Sequence, residues 1–331
     1  MSESIYIFSN GEIKRKQNTI YFENDKGDYK YIPIENTRDI HLFGEVTLNK
    51  EILEFFTQNE VILHFYNYYG YYVGSYYPRE HYNSGYMTLK QAEHYLDSQK
   101  RFVLAYKFVS GAIRNLSKVL NYYLNRGVEL SSYIDRIEEL AQLLEEQEDI
   151  EGLMAIEGNI RDIYYSSFDL IINSDDFEID KRTKRPPENR LNALISFGNS
   201  LLYTYILSEI YKTHLDPRIG FLHTTNFRRF SLNLDIAEIF KPIIVDRVIF
   251  YILNKNMISP DDFEEKLGGI YLKESGRKVF IEKLEEKLKT TVNYKNIGRE
   301  VSYRRLIRLE LYKLEKHLIG DEEYEPLVSE W

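Results

Sequence analysis

The chain has no cysteine. Disulfides, thiolate metal sites, iron–sulfur clusters and cysteine nucleophiles are thereby excluded, and a reducing, cytoplasmic setting is expected. Long apolar runs are also missing. The longest apolar helix candidate, around 234 to 254, is broken by Lys241, Pro242, Asp246 and Arg247, and the N-terminus lacks a basic stretch followed by an apolar one. Neither a membrane span nor a signal peptide is expected. Basic excess is absent too: 43 Lys and Arg stand against 52 Asp and Glu, a net charge of −9. A polyanion would therefore have to be met by a local patch. No zinc-binding helix motif, phosphate-cradling glycine loop, nucleophile elbow or dinucleotide fingerprint occurs, which removes support for zinc peptidase, nucleotide hydrolase, esterase and dehydrogenase chemistry. No period of about twenty to fifty residues repeats, so a solenoid is not expected.

What is present is a globular composition, 43% hydrophobic with 29 Tyr and 18 Phe in 331 residues, long enough for two domains. The fold class read from the pattern is α+β: a small, mostly β N-terminal domain over 1–80, a linker at 81–87 and a larger all-α domain over 88–331. Strands are expected at Ser4 to Phe8, Thr19 to Glu23, Tyr29 to Ile34, Ile40 to Phe43 and Val61 to Tyr66. Turn signals lie at Asn10-Gly11, which suits a tight hairpin, and at Asp25-Lys26-Gly27, which reads as a second one. Lys50 to Gln58 is a short amphipathic helix. Seven tyrosines fall between Tyr66 and Tyr77. A base-stacking surface is one reading of them; a strand pair with packed aromatic faces is the favoured one.

Beyond Pro78 the periodicity is helical. Thr88 and Gln91 form a capping box, and apolar residues from Ala92 to Tyr123 define one long helix ending near Gly127. An acidic helix from about Tyr133 to Asp149 reads as a solvated face. Further helices are expected at 153–167, 189–213, 233–255, 260–267, 276–288 and 298–318.

Three features carry candidate chemistry. Glu157 stands inside the apolar stripe of Leu153, Ile156, Ile160, Ile163 and Tyr164, so its carboxylate needs a cation; a pair with Arg161 and a metal are both open. Asp235 and Glu238, three apart on an apolar helix, face one side about 5 to 6 Å apart and need a bridging cation or a raised pKa. With a water or phosphate oxygen they form a hard-ligand set for magnesium or manganese, although such a pair is common on helices without one. His223 precedes them among bases and turn-formers, where a structural role and a ligand or proton-transfer role both remain open. Lys181 to Leu232 holds nine Lys or Arg against three acids, and Lys287 to Arg308 seven against one. Each is either a solvated face or part of a phosphate-backbone channel. Arg190, Arg228, Arg229, Arg299, Arg304 and Arg305 are the candidate backbone contacts.

Taken together, certain residues are similar to the CRISPR-associated integrase of spacer acquisition, the Cas-one family. They are Glu157-Gly158 with Tyr164-Tyr165; Arg185-Pro186-Pro187 with Asn189, Asn192, Ala193, Leu194, Ser196, Phe197 and Gly198; Gly220 to His223; and Ser231 to Pro242 continuing to Val245-Asp246-Arg247. Phe43 to Leu48 and Gly70 to Arg79 resemble the family's N-terminal β domain, so the similarity spans nearly the whole chain. The resemblance implies an N-terminal β domain that dimerises and a helical catalytic domain. It implies Mg2+ or Mn2+ held by Glu157, His223 and Glu238, with Asp235 beside them. It implies insertion of short foreign DNA fragments into a CRISPR repeat array by 3′-hydroxyl attack on a phosphodiester, with double-stranded and branched DNA as substrate. It also implies a homodimer and a Cas-two protein bridging two dimers. Two departures are Thr224-Thr225 after His223, where many members carry an acid nearby, and Lys241, where Arg is frequent; neither is expected to touch the metal. The rival reading is a non-catalytic DNA-binding scaffold whose acids and histidine form a buried ion network with arginines.

Overall fold

The computed structural model describes every residue except 1–2, 80–81, 83, 173, 225–229, 295–297 and 330–331. The chain divides into two units, Met1–Asn83 and Ser84–Trp331. The first contains β1 (Glu3–Ile7), β2 (Gly11–Lys16), β3 (Thr19–Asn24), β4 (Tyr29–Pro33), β5 (Thr37–Leu42), β6 (Val46–Leu48), α1 (Lys50–Gln58), β7 (Ile62–Tyr66) and β8 (Tyr72–Tyr76). They build two four-stranded sheets, ordered β1-β5-β7-β8 and β4-β3-β2-β6. Asp25-Lys26-Gly27 does turn an antiparallel β3–β4 hairpin, with Gly27 at φ +86°. Asn10-Gly11 does not close a hairpin: β1 pairs in parallel with β5, while β2 pairs with β3 and β6. Segment 7–11 is instead tied to 43–45, where the Phe43 N–H donates to the Ile7 carbonyl and the Gly11 N–H to that of Glu45. A Cβ on Gly44 would fall 2.4 Å from the Ser9 carbonyl oxygen, so only glycine permits this crossing.

Period-two alternation sends Ile40, Leu42 and Leu63 to a core shared with Ile13, Ile20, Ile32 and the buried face of α1, Ile52, Phe55 and Phe56. The other face of the first sheet carries Asp39, His41, His64 and Tyr66, all buried. Burial, followed by the neighbouring His41 ring, pushes the His64 pKa down to about 3. The tyrosine-rich stretch forms the antiparallel β7–β8 pair.

The second unit contains α2 (Gly85–Leu96), α3 (Ser98–Leu124), α4 (Ser131–Gln142), α5 (Ile150–Ser166), α6 (Phe168–Ile172), α7 (Arg190–Ile210), α8 (Leu232–Phe240), α9 (Arg247–Asn254), β9 (Phe263–Lys266), β10 (Gly269–Leu272), α10 (Glu274–Lys289), β11 (Thr291–Tyr294), β12 (Arg299–Ser302) and α11 (Tyr303–Ile319). Several sequence expectations change here. The expected long helix is two, because Asp97 leaves helical geometry (φ −80°, ψ 110°) and caps α3 by accepting from the Lys100 N–H; Ser84, not Thr88, caps α2. The expected helix at 260–267 is a 3-10 turn running into the β9–β10 hairpin, and the start of that at 298–318 is strand β12. The helical unit is thus not wholly helical. Helix 233–255 is interrupted by a π turn at Pro242–Asp246, closed by the Asp246 N–H on the Lys241 carbonyl. Proline offers no N–H to the ladder, which allows the extra residue.

α8 packs between α3 and α7 and is buried on nearly every side, its polar Asn233, Asp235 and Glu238 included. At the end of α8 the Asn115 amide of α3 donates to the Ile239 and Leu327 carbonyls and accepts from the Ser329 N–H. Glu310 of α11 accepts from the Tyr324 hydroxyl and the Leu327 N–H. Segment 324–329 is therefore fastened onto α3 and α11. The Asp97 cap gives a stability prediction: Asp97→Ala lowers the denaturant unfolding free energy by about 1 kcal/mol, whereas Thr88→Ala, assigned no capping, has a smaller effect.

Candidate active site

α5, α8 and the 216–223 loop carry the candidate side chains: Glu157 and Glu238 meet over Arg161, while the donor atoms of Glu157, His223 and Glu238 do not converge closely enough to form a ready metal cluster. The loop is held from several sides. Gln91 of α2 donates to the Asp216 and Ile219 carbonyls and accepts from the Asp216 N–H. Arg101 of α3 donates to the Phe221 carbonyl at 2.9 Å. The Ser231 hydroxyl donates to the Arg218 carbonyl and accepts from the Gly220 N–H. The buried Asp235 carboxylate accepts the N–H groups of Phe221, Leu222 and His223 at 2.5, 3.0 and 2.9 Å. A Cβ on Gly220 would lie 2.7 Å from Asp235 Oδ2 and from the Ser231 carbonyl carbon, so glycine lets the loop approach α8.

Asp235 also faces His223 Nδ1 at 2.8 Å. That bond fixes the ring and leaves Nε2 as the nitrogen available to a ligand. Burial lowers the His223 pKa, but the Asp235 hydrogen bond and charge, with the charge of Glu238, carry it above the ordinary value. Among the described residues Asp235 and Glu238 have different partners. Asp235 is consumed by the loop, whereas Glu238 accepts from Arg161 Nη2 and Lys241 Nζ, each at 2.5 Å. Burial alone would raise the Glu238 pKa; the charges of Lys241, Arg161 and His223 overcome it and bring it down to about 2.

Glu157 accepts from Arg161 Nε at 2.5 Å, so one guanidinium spans Glu157 and Glu238. The i, i+4 pair weighed in the sequence is therefore present, and it extends to α8. His223 joins through the mutual field with Glu238, and among the described residues no hydrogen bond or ion pair links it to Glu157. Arg161 Nη1 is buried without a hydrogen-bond partner among the described residues. The set of two carboxylates and an imidazole braced by a carboxylate fits a divalent ion in donor chemistry, and the charges of Arg161 and Lys241 are the groups such an ion would have to displace or share.

The family model described as CRISPR associated protein Cas1 matches residues 5–286. A relative from Thermodesulfovibrio yellowstonii, CRISPR-associated endonuclease Cas1 2, is 62% identical over 331 residues, 100% of both chains. The chain belongs to the Cas1 family. The structure of a CAS1 protein from Thermotoga maritima, 49% identical, superposes with a TM-score of 0.89 over 99% of this chain and 100% of that one. A casposase bound to an integration product shares the fold at 19% identity, with a TM-score of 0.88 over 98% of this chain and 93% of that one.

In this Cas1 chain the basic residues named from the sequence have unlike surroundings. Arg299 and Arg305 are exposed. Arg190 donates to the Asp176 carbonyl at 3.1 Å. Arg304 donates from Nη2 to both oxygens of Glu285 at 2.7 and 2.9 Å, which takes up that nitrogen. Arg228 and Arg229 lie outside the described residues. Sequence reading missed Arg161 as a shared partner and Lys184 altogether. Lys241, noted in the sequence only as a departure from the family's frequent Arg, contacts Glu238 directly. Burial, then the charges of Lys241 and Arg182, holds the Lys184 pKa below its usual value, and Glu238 pulls the other way. The signal was the basic run at 181–185, read only as a total.

Behind the acids, burial pushes the Asp246 carboxyl up to about 7 against the pull of Arg161. An unfolded Asp titrates near pH 3.9, so between about pH 4 and 7 the folded chain keeps a proton that the unfolded chain has lost, and stability falls as pH rises through that window. Asp246→Asn removes this slope: wild-type melting temperature drops relative to the variant from about pH 5 to about pH 8, and parallel profiles would refute the assignment.

Proposed function

We propose that this chain is a divalent-metal-dependent DNA endonuclease and integrase of spacer acquisition, with Glu157, Glu238 and His223 Nε2 as ligands to Mg2+ or Mn2+. The observation that carries the reading is the meeting of two carboxylates from α5 and α8 over one guanidinium, with an imidazole on the Glu238 side whose other nitrogen is braced by Asp235. When bound, the ion supplies charge neutralisation at the scissile phosphate.

The protein's own groups bind and orient. Lys184 and Lys241 give the acidic pair a cationic border, and the depressed Lys184 gains from an anionic neighbour. Arg161 holds the two carboxylates in register, and its charge helps keep Glu238 ionised. Asp235 keeps the His223 ring in place. The attacking 3′-hydroxyl forms the new O–P bond as the old P–O bond breaks. One proton leaves the attacking oxygen and one is taken up by the departing oxygen, so no covalent protein intermediate is required. Rate then comes from alignment and electrostatics. Double-stranded and branched DNA would run along exposed Arg299 and Arg305 and the 181–185 run. The homodimer through the N-terminal unit and the Cas-two bridge are carried over from the family resemblance.

The competing scaffold reading draws on the same ion network, since Arg161 and Lys241 already neutralise the carboxylates. Manganese titration separates the two. The enzyme reading expects manganese to raise the melting temperature and support joining of branched DNA, and Glu157→Ala to abolish both while the protein stays folded. A folded Glu157→Ala variant with undiminished joining would overturn it. Asp235→Asn, which weakens the brace on His223, is expected to cost about 10- to 100-fold in manganese affinity. Lys184→Ala should weaken DNA binding and flatten its salt dependence without changing manganese affinity.

A further inference from the structure

The N-terminal unit carries a second set of metal-ligand side chains, unrelated to the acids of α5 and α8. Asp39 and His41 are two apart on β5 and so share a face. His64 lies directly opposite His41 in the parallel β5–β7 register, and Ser75 lies opposite His64 in the β7–β8 pair. The ligand atoms of Asp39, His41 and His64 all lie within 4.8 Å of one another. The three residues are 1%, 0% and 0% exposed. His41 Nε2 is 3.2 Å from Asp39 Oδ1, and the two imidazole rings are tilted 35° with centroids 4.8 Å apart.

We propose that Asp39, His41 and His64 form a structural site for a zinc-class divalent transition ion that ties β5 to β7. Zinc bonds of roughly 2.0 to 2.1 Å in tetrahedral geometry set donor atoms about 3.3 Å apart, and the His41–Asp39 separation already has that value. The outer partners fit as well. His41 Nδ1 is 2.8 Å from the Tyr66 hydroxyl and His64 Nδ1 is 2.7 Å from the Ser75 hydroxyl. Both hydroxyls can accept from a ring N–H, so each imidazole can carry its proton on Nδ1 and turn the Nε2 lone pair to the ion, the usual arrangement of ligating histidines. In the ion-free state the His41 Nε2–H can point to Asp39. Binding moves that proton to Nδ1, with no net proton lost. Two imidazoles and one carboxylate favour zinc, cobalt or nickel over magnesium, whose preference is for oxygen. Full burial denies a substrate access, which makes the role structural. The second Asp39 oxygen or an enclosed water completes four ligands.

The test uses the full chain carrying Glu157→Ala, so that the other candidate centre is disabled. After chelator treatment and dialysis, zinc is expected to bind at one equivalent and to raise the melting temperature. The cobalt form is expected to show the visible absorption of a four-coordinate ion, and X-ray absorption of the zinc form two imidazoles in its first shell. His64→Gln should weaken zinc by at least about 100-fold. Should that variant fail to fold, Asp39→Asn keeps the shape and must weaken zinc in the same sense. Absence of bound zinc and cobalt in the folded Glu157→Ala protein, or zinc held equally well after Asp39→Asn, would overturn the site and leave a plain hydrogen-bonded row.

Discussion

The buried carboxylate of Asp235 is the interaction on which the helical unit's chemistry depends. It gathers three consecutive backbone N–H groups and one imidazole nitrogen onto the first turn of α8. Buried N–H groups without partners would each be costly, so the loop has one favourable course, and that course delivers His223 to the neighbourhood of Glu238. Gly220 is the steric condition for the arrangement; Gln91, Arg101 and Ser231 secure its flanks.

Charge is distributed around this anchor with little to spare. Glu157 and Glu238 are matched by Arg161 and Lys241, and the two bases come from different helical stretches. An apolar replacement of either cation would leave a buried anion, a larger penalty than the loss of an exposed pair.

Much of this was legible in the sequence because it is periodic or compositional. Leu153, Ile156, Ile160 and Tyr164 mark the buried face of α5, and Glu157 betrays itself by interrupting it. Lys50–Gln58 is helical with the expected bounds. What the sequence hid depended on tertiary partners. Asp97 reads as one more polar residue of a long helix until its side chain is seen on the Lys100 N–H. Phe263–Lys266 has charges that suit a helix, yet it pairs with Gly269–Leu272. Asp235 and Glu238 look like a pair by spacing and part company because one meets a loop and the other two cations. The aligned histidines of β5 and β7 were invisible because register between distant strands is not written in either strand alone.

The fastening of residues 324–329 onto α3 bears on synthesis. Asn115 meets the carbonyl and N–H of Leu327 and Ser329, more than two hundred residues later, and Gly111 stands against Pro326, where a Cβ would fall 2.5 Å from the proline Cβ. While a ribosome still encloses those residues, the Asn115 amide lacks the Leu327 and Ser329 partners that complete its hydrogen bonding. The helical unit can therefore close this seam only after translation has passed residues 324–329.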